Sequence, residues 1–152
     1  MSSKKPLLIC VVGATAIGKT SLAIKLARAF NTEIISADSR QFFKEMSIGT
    51  AVPSKEELDA VPHHFIQNKS IFEDYSVGDF ERDSLALLKI LFEKNTVVVM
   101  VGGSGLYVDA VIKGLDNFPE VPSKIRDQLN FELAEKGIET LQRELKNIDP
   151  EY

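Results

Sequence analysis

The chain has no tryptophan, a single cysteine and no apolar run long enough to cross a bilayer. With only Cys10, no disulfide forms within the chain, which fits a reducing compartment such as the cytoplasm. Cys10 sits inside an apolar run and reads as a small core residue. Residues Met1 to Pro6 lead into about six apolar positions, too few for a signal sequence or membrane span, so a soluble intracellular protein is expected. Charge of one sign is lacking too. Eighteen Lys and Arg against 22 Asp and Glu leave a net −4, so any RNA contact must come from a local basic patch. What remains is ordinary for one globular domain: 152 residues, 44% of them hydrophobic.

Against that background one stretch stands out, Gly13-Ala14-Thr15-Ala16-Ile17-Gly18-Lys19-Thr20. It follows the apolar run Leu7 to Val12 and opens a helical pattern from Ser21 to Phe30, with Leu22, Leu26 and Phe30 four residues apart. Strand, glycine-bounded loop and helix in this order form a phosphate cradle. The glycines let successive N–H groups turn inward, and the helix start adds free N–H groups and a positive dipole end. Lys19 supplies a charge for the outer phosphates and the Thr20 hydroxyl a ligand for Mg²⁺.

Further along, Glu33 to Ala37 reads as a short strand that delivers Asp38 to its carboxyl end, the edge where open parallel sheets bind ligands. Periodicity weakens from Phe42 to Asn68, apart from a short helix capped at Pro53-Ser54 and a brief strand over Val61 to Ile66. The adjacent His63 and His64 point to opposite faces of an extended segment and so cannot chelate one ion. Ser76 and Asp79 have capping-box spacing ahead of a helix ending near Asn95. Thr96 to Val101 is continuously apolar, as in a strand buried on both faces. Gly102-Gly103-Ser104-Gly105 then turns into another helix, and could place Ser104 beside the phosphates. From Leu115 to Pro122, Pro119 and Pro122 mark a linker, followed by helices striped by Ile125, Leu129 and Leu133, then Ile138, Leu141 and Leu145, with Gly137 between.

The alternation predicts a three-layer α/β fold of the phosphate-loop (P-loop) nucleotide-binding kind with a mainly parallel sheet. Residues 1–116 form its core, and 117–152 a linker and two helices that either pack against the sheet or project from it as a hairpin. Two motifs of that architecture are missing. No acid follows Val97 to Val101, where ATPases and GTPases hold Mg²⁺, and Asn68-Lys69-Ser70-Ile71 lacks the last acid of a guanine-specific sequence. Asp38 is left as the carboxylate at the phosphate-facing edge, a general base or a Mg²⁺ ligand acting through water. Chemistry alone points to group transfer from a phosphorylated donor, with an ATP-dependent small-molecule kinase as the first reading.

Six segments in order change that reading: Gly13 to Thr20, Ile35 to Gln41, Ile48-Gly49-Thr50-Ala51, Val61-Pro62-His63-His64, Tyr75 to Phe80, and Val101 to Tyr107. Together they resemble the bacterial tRNA dimethylallyltransferases, over nearly the whole chain. Departures are Val52 for a usual lysine, Phe43 for tyrosine and Ser104 for threonine. The resemblance implies transfer of a prenyl group from dimethylallyl diphosphate to N6 of the adenosine 3′ to the tRNA anticodon. Gly13, Ala14, Thr15, Ala16, Ile17, Gly18, Lys19 and Thr20 would hold the diphosphate, with Mg²⁺ on Thr20. Asp38 would take the proton from the amine, and Ser104 would contact the reacting centre. Ser39, Arg40 and Gln41 would touch the flipped-out base, and Arg126 would approach the tRNA anticodon stem-loop. Family chains are about twice this length, so the resemblance implies that 117–152 are a linker and the start of a small helical insertion. It also implies a fragment with weak or no transferase activity by itself and a monomer when full length. A relative that prenylates free adenine nucleotides, a small-molecule kinase and a nonenzymatic phosphate-binding module remain as alternatives.

Overall fold

The structure is a computed structural model and describes residues 5–116 and 121–152. Four strands, β1 (Leu7–Val12), β2 (Ile34–Ser36), β3 (His63–His64) and β4 (Val97–Gly102), lie in the order β1-β4-β2-β3. Every pairing is parallel, so all four carboxyl ends reach one edge. The alternating side chains of β4 supply both cores, which is why its run is apolar without interruption. Val98 and Met100 face one side with Ile35, Phe80 and Leu91; Val99 and Val101 face the other with Ile34, Ala23 and Ala27.

Helix α1 (Lys19–Phe30) covers the second of these faces. It starts two residues before the apolar pattern does, because Gly18 (φ 92°) turns the loop directly into the helix, and Asn31 (φ 50°) ends it. Helix α2 (Lys55–Ala60) is capped by Ser54 and Glu57 and leads into Val61, which joins the α1 core. On the opposite face lie α3 (Val77–Lys94) and α4 (Gly105–Lys113), contributing Phe80, Leu88, Leu91, Val108 and Val111. The Ser76–Asp79 capping box is complete at the start of α3. The three expected layers are present.

The segment after β2, where periodicity was weak, is held by aromatic packing. Phe42 is fully buried, with the rings of Phe80, Tyr75 and Tyr107 centred 5.2–5.5 Å from its own. The backbone of Gln41 to Lys44 bonds to that of Gln67 to Lys69 and prolongs the β2–β3 pairing irregularly.

The chain divides into two compact units, Met1–Leu115 and Asp116–Tyr152. The second contains α5 (Ser123–Lys136) and α6 (Ile138–Ile148), which pack on one another across Gly137 (φ 76°). The connection expected over Leu115 to Pro122 falls partly on residues 117–120, and the reading of the chain start partly on 1–4; both lie outside the described residues. No described helix is long and apolar enough to cross a membrane.

Candidate active site

The loops leaving β1 and β4 run to helices on opposite faces of the sheet, α1 on one side and α4 on the other. Adjacent strands whose connections diverge in this way leave a crevice at their carboxyl ends. A cavity of about 280 Å³ opens on the α1 side of this edge. The cradle borders it through Thr15, Ala16, Gly18, Lys19 and Thr20, while Asp38 and Gln41 enter from the end of β2.

The cradle turns on left-handed backbone at Gly13, Ala16 and Gly18. Ala16 (φ 64°) carries a side chain there, which costs about 1–2 kcal/mol. Lys19 donates from Nζ to the Ala14 carbonyl (2.6 Å), so the loop closes around its own cation. The first turn of α1 has neither a side-chain cap nor an acid, which leaves its N–H groups and dipole available to an anion. Gly13, Ala14 and Ile17 belong to the loop but not to the cavity wall.

Asp38 follows β2 and is held in an Asx turn, its Oδ1 accepting from the Arg40 N–H (3.1 Å). That bond fixes the carboxylate and leaves Oδ2 as its second acceptor. Ser104 ties this turn to the end of β4: its Oγ accepts from the Ser39 N–H (3.1 Å) and lies 3.2 Å from the Ser39 hydroxyl. Its side chain therefore bonds the neighbouring loop rather than capping α4. The two loops meet closely because Gly102 has no side chain; a Cβ there would lie 2.2 Å from the Ala37 carbonyl oxygen.

The expected contacts to a target base divide by exposure. Arg40 is exposed and Ser39 half-buried, whereas Gln41 is only 9% exposed. The Gln41 amide is committed internally: Oε1 accepts from Ser36 Oγ, and Nε2 donates to the carbonyls of Thr50 (3.1 Å) and Ala51 (2.9 Å). Gln41 thus pins the segment carrying Ala51 and Pro53, another wall of the cavity. Arg126 lies exposed on α5 in the second unit.

Sequence reasoning weighed the paired histidines as metal ligands and as part of the Val61-Pro62-His63-His64 segment, and gave them no role in the site. Their rings take separate partners: His64 Nε2 meets Glu33 (2.6 Å), and His63 Nδ1 donates to the Val61 carbonyl (2.7 Å). His63 also borders the cavity, and its Nε2 is buried without a hydrogen bond among the described residues. An unsatisfied buried acceptor costs about 1–3 kcal/mol. Burial, the largest influence on it, lowers the His63 pKa and keeps the ring neutral near pH 7. Only the parallel register placing His63 beside Ile34 could have revealed this position.

A three-layer parallel α/β sheet fold with a glycine-bounded loop after its first strand and a carboxylate beside it defines a protein of the P-loop-like fold class. A family model described as IPP transferase matches residues 41–152. The chain belongs to that family. It is 61% identical over 145 residues to the tRNA dimethylallyltransferase of Flavobacterium johnsoniae, covering 95% of this chain and 47% of that protein. The tRNA dimethylallyltransferase of Christiangramia forsetii is 64% identical, with 95% and 48% covered. Among solved structures, the full-length tRNA isopentenylpyrophosphate transferase of Bacillus halodurans superimposes with TM-score 0.70 at 38% identity, over 98% of this chain and 49% of that one. A eukaryotic dimethylallyltransferase acting on tRNA gives TM-score 0.77 at 25% identity, over 96% and 36%. The chain spans about half the length of the curated relatives it matches.

Proposed function

We propose that this chain carries the donor-binding and proton-accepting half of an enzyme that prenylates tRNA, moving a dimethylallyl group from its diphosphate to N6 of the adenosine 3′ to the anticodon. The observation that carries this reading is that Asp38 borders the same cavity as Lys19 and the cradle. The cradle's N–H groups and Lys19 bind the diphosphate and stabilise the charge growing on it. The adenine amine attacks C1 of the prenyl group, the C1–O bond breaks, and the diphosphate leaves with the bonding electron pair. The amine proton passes to Oδ2 of Asp38, whose Oδ1 stays bonded to Arg40 N–H.

Thr20 borders the cavity with a hard oxygen of the kind Mg²⁺ takes and would hold the ion there. Mg²⁺ so held would supply further charge neutralisation to the diphosphate. Ser104 and Ser39 position the turn that presents Asp38, and the exposed Arg40 and Arg126 meet the tRNA anticodon stem-loop. In this reading the full-length enzyme acts as a cytoplasmic monomer.

Labelled dimethylallyl diphosphate, tRNA and the full-length protein test the assignment. Asp38→Asn lowers the transfer rate about 10²–10⁴-fold while leaving donor affinity near the wild-type value. Transfer at an undiminished rate, or ATP turnover in place of prenyl transfer, rules the assignment out.

A further inference from the structure

The carboxamide of Gln41 is bound entirely to its own chain. Its Oε1 accepts from the Ser36 hydroxyl (3.2 Å), and Nε2 donates to the carbonyls of Thr50 (3.1 Å) and Ala51 (2.9 Å). A carboxamide has two N–H donors, so neither remains for a substrate base. Successive carbonyls diverge in extended backbone. Here both meet one nitrogen because Ala51, whose torsions separate them, is left-handed (φ 51°). That conformation is unfavourable for a residue with a side chain, and little else holds the segment. Residues 47–54 form no helix or strand, and Ile48 is 95% exposed. Apart from the Thr50 hydroxyl, which donates to the Met46 carbonyl, the clamp is Gln41. The Gln41 N–H also donates to the Asp38 carbonyl (3.0 Å), so one residue joins the Asp38 turn to this wall of the cavity.

We propose that Gln41 is a positioning residue for the hydrocarbon end of the prenyl donor, acting through Ala51 and Pro53. This rests on the proposed donor site and assigns it an apolar wall. Ala51, Pro53 and Lys19 line the same cavity of about 280 Å³, so a diphosphate on the cradle leaves its carbon chain in a space that the two apolar side chains help enclose. Such a chain gains affinity only where a wall removes it from water, at about fourfold per buried methylene. Released from Gln41, Ala51 leaves the left-handed region and carries Pro53, two residues on, away with it. The cradle is independent of this clamp. Its N–H groups and Lys19 make no hydrogen bond to Gln41. The two ends of the donor therefore respond differently to loss of the Gln41 amide.

Prenyl transfer by the full-length enzyme, with inorganic diphosphate as competitor, separates the two ends. Gln41→Met should raise the KM for dimethylallyl diphosphate about tenfold and leave the inhibition constant of inorganic diphosphate within about twofold of wild type. Ala51→Val keeps Gln41 but does not tolerate a positive φ. It should show the same split, and it decides the matter if Gln41→Met does not fold. Adding Ala51→Gly to Gln41→Met should lower the raised KM by about threefold or more, because glycine holds the turn without strain. Equal weakening of both ligands, no change in either, or a double variant no better than Gln41→Met overturns the role of Gln41. So does a rise in the KM for tRNA with that for the donor unchanged, which returns Gln41 to the base. Failure of inorganic diphosphate to compete with the donor in wild type overturns the donor site and this inference with it.

Discussion

Asp38 is placed by its neighbours more than by its own contacts. Among the described residues its carboxylate has one protein bond, to the Arg40 N–H, and its backbone is set by Ala37, whose carbonyl lies against Gly102. Gly102 is therefore a close-approach glycine, and no side chain fits there unless the two strands separate. Gly102→Ala should cost about 1–3 kcal/mol in urea denaturation. In the full-length protein it should also reduce the prenyl-transfer rate more than donor affinity, because the strain falls one residue from Asp38 and leaves the cradle in place. That Asp38, Lys19 and Thr20 reach the same edge of the sheet was legible from spacing. The internal bonding of Gln41 and the inward face of His63 were not, since both depend on partners distant in sequence or on strand register.

Elements were largely readable because their ends carry local signals. Ser76-Val77-Gly78-Asp79 predicted a helix start, and the structure completes both bonds of the box. The Ser76 hydroxyl, then the Ser76 N–H and Arg82, hold the Asp79 carboxyl at about 2, below its ordinary 3.8. A lowered carboxyl pKa stabilises the fold above the unfolded value, so this contribution is present above about pH 4 and is lost as pH falls toward 2. Ser76→Ala should reduce stability at neutral pH by about 1 kcal/mol, read from the urea midpoint. The Asp79 pKa should return toward its ordinary value in the same variant, followed by carboxyl-resonance titration. The stretch after Asp38 was unreadable for the opposite reason. Phe42 is held by rings from residues 65, 75, 80 and 107, and such packing leaves no local periodicity.

At the scale of the molecule, charge is unevenly divided along the sequence. Residues 116–152 contain nine acids and five bases, which accounts for the whole net −4, while residues 1–115 are neutral. Non-specific RNA affinity grows with the number of phosphates neutralised, and nothing in this distribution supplies a basic face. The 152-residue chain alone should bind an unrelated RNA duplex with a Kd weaker than about 10⁻⁴ M at physiological salt, measured by filter binding. Micromolar binding would mean that local patches outweigh the overall charge.

Local sequence determined the cradle, the helix ends and the strand runs, because glycine conformations, caps and apolar periodicity act within a few residues. Tertiary structure alone decided which cavity those parts share. Strand order and parallel register bring Lys19 after β1, Asp38 after β2 and His63 within β3 to one cavity, and the Ser39–Ser104 bond ties the turn that carries Asp38 to the end of β4. Those relations join residues far apart in the chain, and pairing geometry, not local propensity, sets them.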